Sequence, residues 1–249
     1  MSVDLLPIYE GFVPVVTADQ MREVDRLMIE VYHIDLIQMM ENAGRNLAHL
    51  AHIRFLKGDP SNKQVVVLAG TGGNGGGALV CARWLHNAGA DIQVYLTTAP
   101  ERLNPVPSHQ LDSLHSMGVP IGQVSDIGSL PAPDMIIDGL IGYSLTGSPH
   151  GSAAQLITWA NSMGAPVLAL DVPSGLHSTS GAAFDPAVRA DATMTLALPK
   201  SGLLHDHAKP YVGELYLANI SVPRGLYSHP TLGLVVENIF HTQDIVRLA

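Results

Sequence analysis

The sequence predicts an α/β fold with a mostly parallel sheet and helices on both faces. Three observations carry this reading. Short β-branched apolar runs alternate with helical segments of about 10–12 residues, the signature of βαβ units. One such run, Gln64 to Gly70 (QVVVLAG), leads into a glycine-rich turn that opens a helix. The unusual polar residues also gather at the ends of the runs, where ligands bind in open parallel sheets.

The elements follow in order. Thr17-Ala18-Asp19-Gln20 has the form of a capping box, and Val24, Leu27, Met28 and Val31 continue it at helical spacing. A second helix is expected from about Asp35 to Phe55, with Leu36, Met39, Met40, Ala43, Leu47 and Leu50 on one side. After the Gly58–Asn62 break, the continuous apolar run at Gln64–Gly70 reads as a strand buried on both faces. Ala78–His86 reads as helix, Asp91–Thr98 as strand, Pro107–Met117 as helix and Met135–Leu140 as strand. Ser152–Met163 then reads as helix, and Pro166–Val172, Ala192–Leu198 and Gly213–Ile220 as strands. No repeat and no Gly-, Pro- or Ser-rich linker divides the chain, so residues 1–249 are expected to form one domain.

Bulk properties exclude several classes. With 47% hydrophobic and only 14% charged residues, most of the chain must be packed rather than disordered. A formal net charge of -9 argues against a nucleic-acid partner held by phosphate neutralisation. Cys81 is the only cysteine, which rules out an internal disulfide and suits a reducing compartment. The amino-terminal stretch MSVDLLPIYEGFVPVV lacks a basic segment followed by a sustained apolar run, and no membrane-spanning stretch occurs. A cytoplasmic protein with no membrane partner is expected.

The run Gly70-Thr71-Gly72-Gly73-Asn74-Gly75-Gly76-Gly77 has six glycines in eight residues. Between a strand and a helix, glycine lets backbone approach an anion, and the helix N-terminus adds a favourable dipole. Close strand–helix packing would need glycine too. No acidic residue ends the next strand (Val94–Thr98), so a ribose partner of the ordinary dehydrogenase kind is missing. Asp138, followed by Gly139 and then Gly142-Tyr143-Ser144-Leu145-Thr146-Gly147-Ser148, either binds a ligand or cation or caps a turn. Asp171-Val172-Pro173-Ser174-Gly175 repeats that theme. Asn74, Asp138, Asp171 and Ser174 together are hard oxygen donors, suited to an alkali or alkaline-earth cation rather than zinc or copper. His205-Asp206-His207 reads as a polar loop more readily than a metal pair, and Ser174 lacks the Gly-x-Ser-x-Gly context of a hydrolase nucleophile.

With these loops in view, the chain resembles the NAD(P)H-hydrate epimerase family, the YjeF N-terminal domain. The pieces occur in family order: Met21-Arg22 with Asp25, Met40-Glu41-Asn42-Ala43-Gly44, the glycine loop with Leu79-Val80-Cys81-Ala82-Arg83, Asp138–Gly147, Asp171–Gly175, Pro199-Lys200, and Gly213-Glu214 with Ile220 and Pro223. The resemblance implies a Rossmann-like three-layer α/β/α sandwich, a homodimer, and a potassium ion near the ligand phosphates. It implies interconversion of the R and S epimers of hydrated NADH and NADPH (NADHX and NADPHX), which carry a hydroxyl at C6 of the nicotinamide ring. Carried over residue by residue, Asn74, Asp138 and Ser174 would hold potassium. Gly73, Asn74, Gly75, Gly76, Gly77, the segment Gly142–Ser148 and Asp171 would contact the substrate. Epimerisation needs an acid/base group. Asp138, Asp171 and Lys200 are the candidates, and Asp171 is preferred because the cation would occupy Asp138. A separate NAD(P)H-hydrate dehydratase is expected to complete the repair.

The family loop reads Gly-Asn-Asn-Gly-Gly-Asp-Gly, whereas Gly72–Ala78 reads Gly-Gly-Asn-Gly-Gly-Gly-Ala. Gly73, Gly77 and Ala78 therefore stand where the family has Asn, Asp and Gly. Loss of the carboxylate at position 77 makes a catalytically impaired nucleotide-binding and dimerising module of the same fold the alternative expectation.

Overall fold

A computed structural model describes residues 6–129 and 131–249. Nine strands form one sheet: β1 (Ile8–Tyr9), β2 (Gln64–Ala69), β3 (Asp91–Leu96), β4 (Ile121–Gln123), β5 (Met135–Gly139), β6 (Val167–Leu170), β7 (Ala192–Leu196), β8 (Glu214–Ala218) and β9 (Ile245–Leu248). Their order is β1-β9-β8-β7-β6-β5-β2-β3-β4, and every pair is parallel except β8 with β9. The main helices are α1 (Ala18–Glu30), α2 (Leu36–Arg54), α3 (Gly73–Asn87), α4 (Pro105–Ser116) and α5 (Gly151–Ser162), with short α6 (Lys209–Val212) and α7 (Arg224–Tyr227).

Strand alternation builds the three layers. Val65, Val67 and Ala69 of β2 face one core with Leu47 and Leu50 of α2, Leu79 and Leu85 of α3, and Leu111 and Leu114 of α4. Val66 and Leu68 face the other core, with Leu156, Ile157 and Trp159 of α5. Buried on both faces, β2 has no room for a polar residue until its end, which is why it reads as a continuous apolar run. The fold is the expected mostly parallel α/β sandwich.

The helix signals work as read. Thr17 accepts from the Gln20 N–H at 3.2 Å while Gln20 accepts from the Thr17 N–H at 2.9 Å. Asp35 forms the same reciprocal box with Gln38 at the start of α2. Two corrections follow. The sequence reading starts the third helix at Ala78, but α3 begins at Gly73, so most of the glycine run is the helix's first turn. The reading also misses β1, β4 and β9, which are only 2, 3 and 4 residues long and lack room for a period-two pattern. The first five residues of the stretch read as lacking a signal lie outside the described residues. Among the described residues, no helix is long and apolar enough to cross a membrane.

Chain order explains where a ligand belongs. From β2 the chain moves to β3 and β4 on one side, while β5 to β8 run out on the other. Open α/β sheets bind ligands outside the strand ends at such a reversal. Here it falls between Ala69-Gly70 and Asp138-Gly139.

Candidate active site

A cleft of about 400 Å³ opens at this reversal, lined by Thr71, Gly72, Gly73 and Asn74 on one side and by Leu140 to Ser144, Leu170, Asp171, Leu196 and Lys200 on others. Met21 and Asp25 of α1 and Leu36, Met39, Met40 and Ala43 of α2, with Ile220, complete its lining.

The glycine wall is built from backbone. Gly72 is the N-cap of α3, and the helical ladder starts with the Gly76 N–H donating to Gly72 O at 3.0 Å. The N–H groups of Gly73, Asn74 and Gly75 precede the ladder, which is the arrangement that favours an anion. The remaining glycines answer to packing. A Cβ on Gly75 would lie 1.9 Å from Gly70 O, and one on Gly76 would lie 2.3 Å from Met40 Sδ. Gly75, Gly76 and Gly77 are buried and do not line the cleft, so of the expected loop contacts only Gly73 and Asn74 face it. A Cβ at 77 would lie 2.8 Å from Leu170 Cδ2. The space beside Gly77 is therefore taken by the end of a leucine side chain.

Asp138, the penultimate residue of β5, is completely buried. Ser174 holds it twice, with Oγ donating to Oδ1 at 2.6 Å and the backbone N–H donating to Oδ2 at 2.8 Å; the Leu140 N–H adds a bond to Oδ1 at 3.2 Å. Ser174 Oγ in turn accepts from the Ile141 N–H at 2.8 Å, so this serine ties two strand-end loops together. Burial nevertheless pushes the Asp138 carboxyl up to about 6, and it forms no ion pair among the described residues. A buried carboxylate without a cation is costly when ionised. Asn74 donates through Nδ2 to Leu170 O at 3.0 Å, and its Oδ1 packs beside Gly142, where a Cβ would come within 3.1 Å. The Asp138 carboxylate and Ser174 Oγ are thus bonded to each other, and both, like Asn74 Oδ1, are hard oxygen donors of the kind alkali and alkaline-earth cations take.

Asp171 follows β6 directly with φ 67°, in the left-handed region. The Val172 N–H donates back to Leu170 O at 2.8 Å, closing a tight γ-turn around it. One strand over, Ala197 has φ 64° and the Leu198 N–H donates to Leu196 O at 2.8 Å. Such turns cost about 1–3 kcal/mol each and persist only when neighbours hold them. Lys200 does so: its Nζ donates to Asp171 Oδ1 and, at 2.9 Å, to Leu196 O. Both side chains of this ion pair are buried.

A second pair faces the same space. The Tyr143 hydroxyl donates to Asp25 Oδ2 at 2.6 Å, and the Lys200 ammonium lies 5.9 Å from the Tyr143 ring centroid. Desolvation raises the Asp25 carboxyl above its usual range, and it raises the Tyr143 hydroxyl too. Of the expected segment Gly142–Ser148, Gly142, Tyr143 and Ser144 line the cleft, whereas Leu145, Thr146, Gly147 and Ser148 lie outside it. Asp25 carries no role in the sequence reading; its only signal there is its place after Met21-Arg22. His205 and His207 stack at 5.2 Å, and no cluster of three His, Cys, Asp or Glu able to hold a metal occurs among the described residues.

Fold and cleft together define a Rossmann-like α/β protein whose cleft lies at the sheet's reversal, with one backbone wall and one wall of buried ionisable groups. Residues 36–202 match the model of the YjeF-related protein N-terminus. The chain belongs to that family. It is 41% identical over 219 residues to the NAD(P)H-hydrate epimerase of Dehalogenimonas lykanthroporepellens, covering 87% of this chain and 86% of the relative. The NAD(P)H-hydrate epimerase of Rhodopirellula baltica is 32% identical, with 90% of each chain covered. The bifunctional NAD(P)H-hydrate repair enzyme Nnr of Salinibacter ruber is 38% identical over 84% of this chain, which spans only 41% of that longer protein. The crystal structure of yeast ynu0 superposes with a TM-score of 0.81 at 25% identity, covering 95% of this chain and all of that one.

Proposed function

We propose that this chain is an NAD(P)H-hydrate epimerase, an isomerase that interconverts the R and S forms of hydrated NADH and NADPH in the cleft between the glycine wall and Asp171. The observation that carries the reading is the Asp171–Lys200 pair: a buried carboxylate, held in a strained turn, facing the cleft beside free helix N-terminal N–H groups. The N–H groups of Gly73 and Asn74 bind substrate phosphate, and Asp171 takes the proton of the C6 hydroxyl. Lys200 orients Asp171 through their buried ion pair. Glycine at position 77 still leaves Asp25, Asp171 and Lys200 all in the cleft, so acid/base groups remain.

Asn74, Asp138 and Ser174 hold a potassium ion in this reading. Such an ion would supply positive charge at these oxygen donors. It offsets the buried Asp138 charge, and Ser174 keeps both carboxylate oxygens oriented. We extend the reading to a single unit of residues 1–249, supported by a sheet that takes strands from both ends of the chain. It acts as a cytoplasmic homodimer, with the S-specific dehydratase activity supplied separately.

The test is an R/S mixture of NADHX incubated with an S-specific dehydratase and ATP. Adding this chain is expected to make the R epimer disappear at a rate proportional to its concentration. R-epimer loss at the rate without it would reject the function.

A further inference from the structure

The cleft holds two carboxylates in opposite settings, and only one has a role so far. Asp171 is ion-paired with Lys200, whereas Asp25 is reached by a neutral hydroxyl, that of Tyr143. The four side chains form a chain across the cleft: Asp25, Tyr143, Lys200, Asp171. Two carboxyl groups in contrasting environments are the pattern by which one site carries both an acid and a base.

Epimerisation at C6 needs both. The hydroxyl proton leaves to a base, and its O–H electron pair forms the C6=O bond. The C6–N1 bond breaks, its electrons go to N1, and N1 takes a proton from an acid. Rotation and closure on the opposite face reverse each transfer, so both groups recover their starting states and no oxidant or reductant is used.

We propose that Asp25 is the second catalytic carboxyl group, donating a proton to the ring nitrogen while Asp171 accepts one from the hydroxyl. This rests on the epimerase reading. Asp25 lines the cleft through its place on α1, outside the residues matched by the family model. The groups that face it from other elements are Tyr143 after β5, Asp171 after β6 and Lys200 after β7; Arg22 on its own helix acts on Tyr143. Burial is the largest influence on Asp25 and favours the protonated form, opposed by the Tyr143 hydrogen bond and the Lys200 charge.

The experiment follows R-to-S conversion of purified NADHX by proton NMR across pH, using the full chain, Asp25→Asn and Tyr143→Phe. Asp25→Asn keeps the shape and an acceptor for Tyr143, and is expected to lower kcat about 100-fold or more with KM changed less than about threefold. Tyr143→Phe removes a bond that favours charged Asp25, so the fall in kcat with rising pH should move to higher pH. That shift is a readout a merely structural tyrosine would not produce, and it stands even if Asp25→Asn folds poorly. The proposal is overturned if Asp25→Asn folds and keeps kcat within about threefold of the parent, if its loss lies wholly in KM, or if Tyr143→Phe leaves the high-pH fall in place. A parent chain that converts no R epimer overturns the epimerase reading as well, and so is distinct from an active parent with an active Asp25→Asn variant.

Discussion

The two walls of the cleft are made by different means. The β2–α3 wall is local: Thr71 to Asn74, four consecutive residues, line the cleft, and no charged side chain takes part. The opposite wall is assembled from α1 and the ends of β5, β6 and β7. Its Tyr143–Asp25 bond spans 118 positions of sequence, and its Lys200–Asp171 bond spans 29. Binding an anion needs only backbone dipoles and space, whereas moving protons needs side chains with altered environments, and those come from burial by distant parts of the chain.

Breaking the side-chain wall should have the largest effect. Asp171→Asn removes the proposed base and should lower kcat about 10²–10⁴-fold with substrate affinity nearly intact, checked by steady-state kinetics. Lys200→Met leaves Asp171 buried without its cation and should cost about 3–5 kcal/mol of stability, read by urea denaturation. On the backbone wall, Gly75→Ala places a Cβ against Gly70 O. It should cost about 1–3 kcal/mol and weaken NADPH binding, measured by calorimetry. Potassium should raise the melting temperature of the parent protein more than sodium does, and Asp138→Asn should abolish the difference.

The smallest effect lies away from both walls. Arg54 hydrogen-bonds Glu214 through Nε and Nη2 and holds its carboxyl down at about 2. A depressed carboxyl contributes stability above its unfolded range and loses it as pH falls through the folded value. Glu214→Gln should therefore cost under about 1 kcal/mol near pH 7, and the difference from the parent should vanish near pH 2 in denaturation curves.

The two walls also differ in how far the sequence discloses them. The glycine run, the capping box at Thr17 and the apolar run of β2 are contiguous patterns, and each marks its element. The glycine count misleads in one respect, because Gly75 and Gly76 are small for the sake of Gly70 and Met40 rather than for a ligand. Asp138, Asp171 and Ser174 are visible as strand-end residues, but the bonds of Ser174 to Asp138 and Ile141, of Asp138 to Leu140 and of Asp171 to Lys200 are not. Asp25 is hidden altogether. On a helix whose buried residues are Met21, Val24, Leu27 and Met28, it looks like part of a polar face. Only the packing of α1 beside Tyr143 makes it a cleft residue.

The central claim is that the side-chain wall performs epimerisation while the glycine wall holds the phosphates. The most direct measurement is proton NMR of the isolated R epimer of NADHX, without dehydratase, in the presence of the parent chain or Asp171→Asn. The parent should bring R and S to their equilibrium ratio at a rate proportional to protein concentration, and the variant should bind the substrate but leave the rate close to that of buffer. A parent rate no faster than buffer, or an unimpaired Asp171→Asn, would contradict the account.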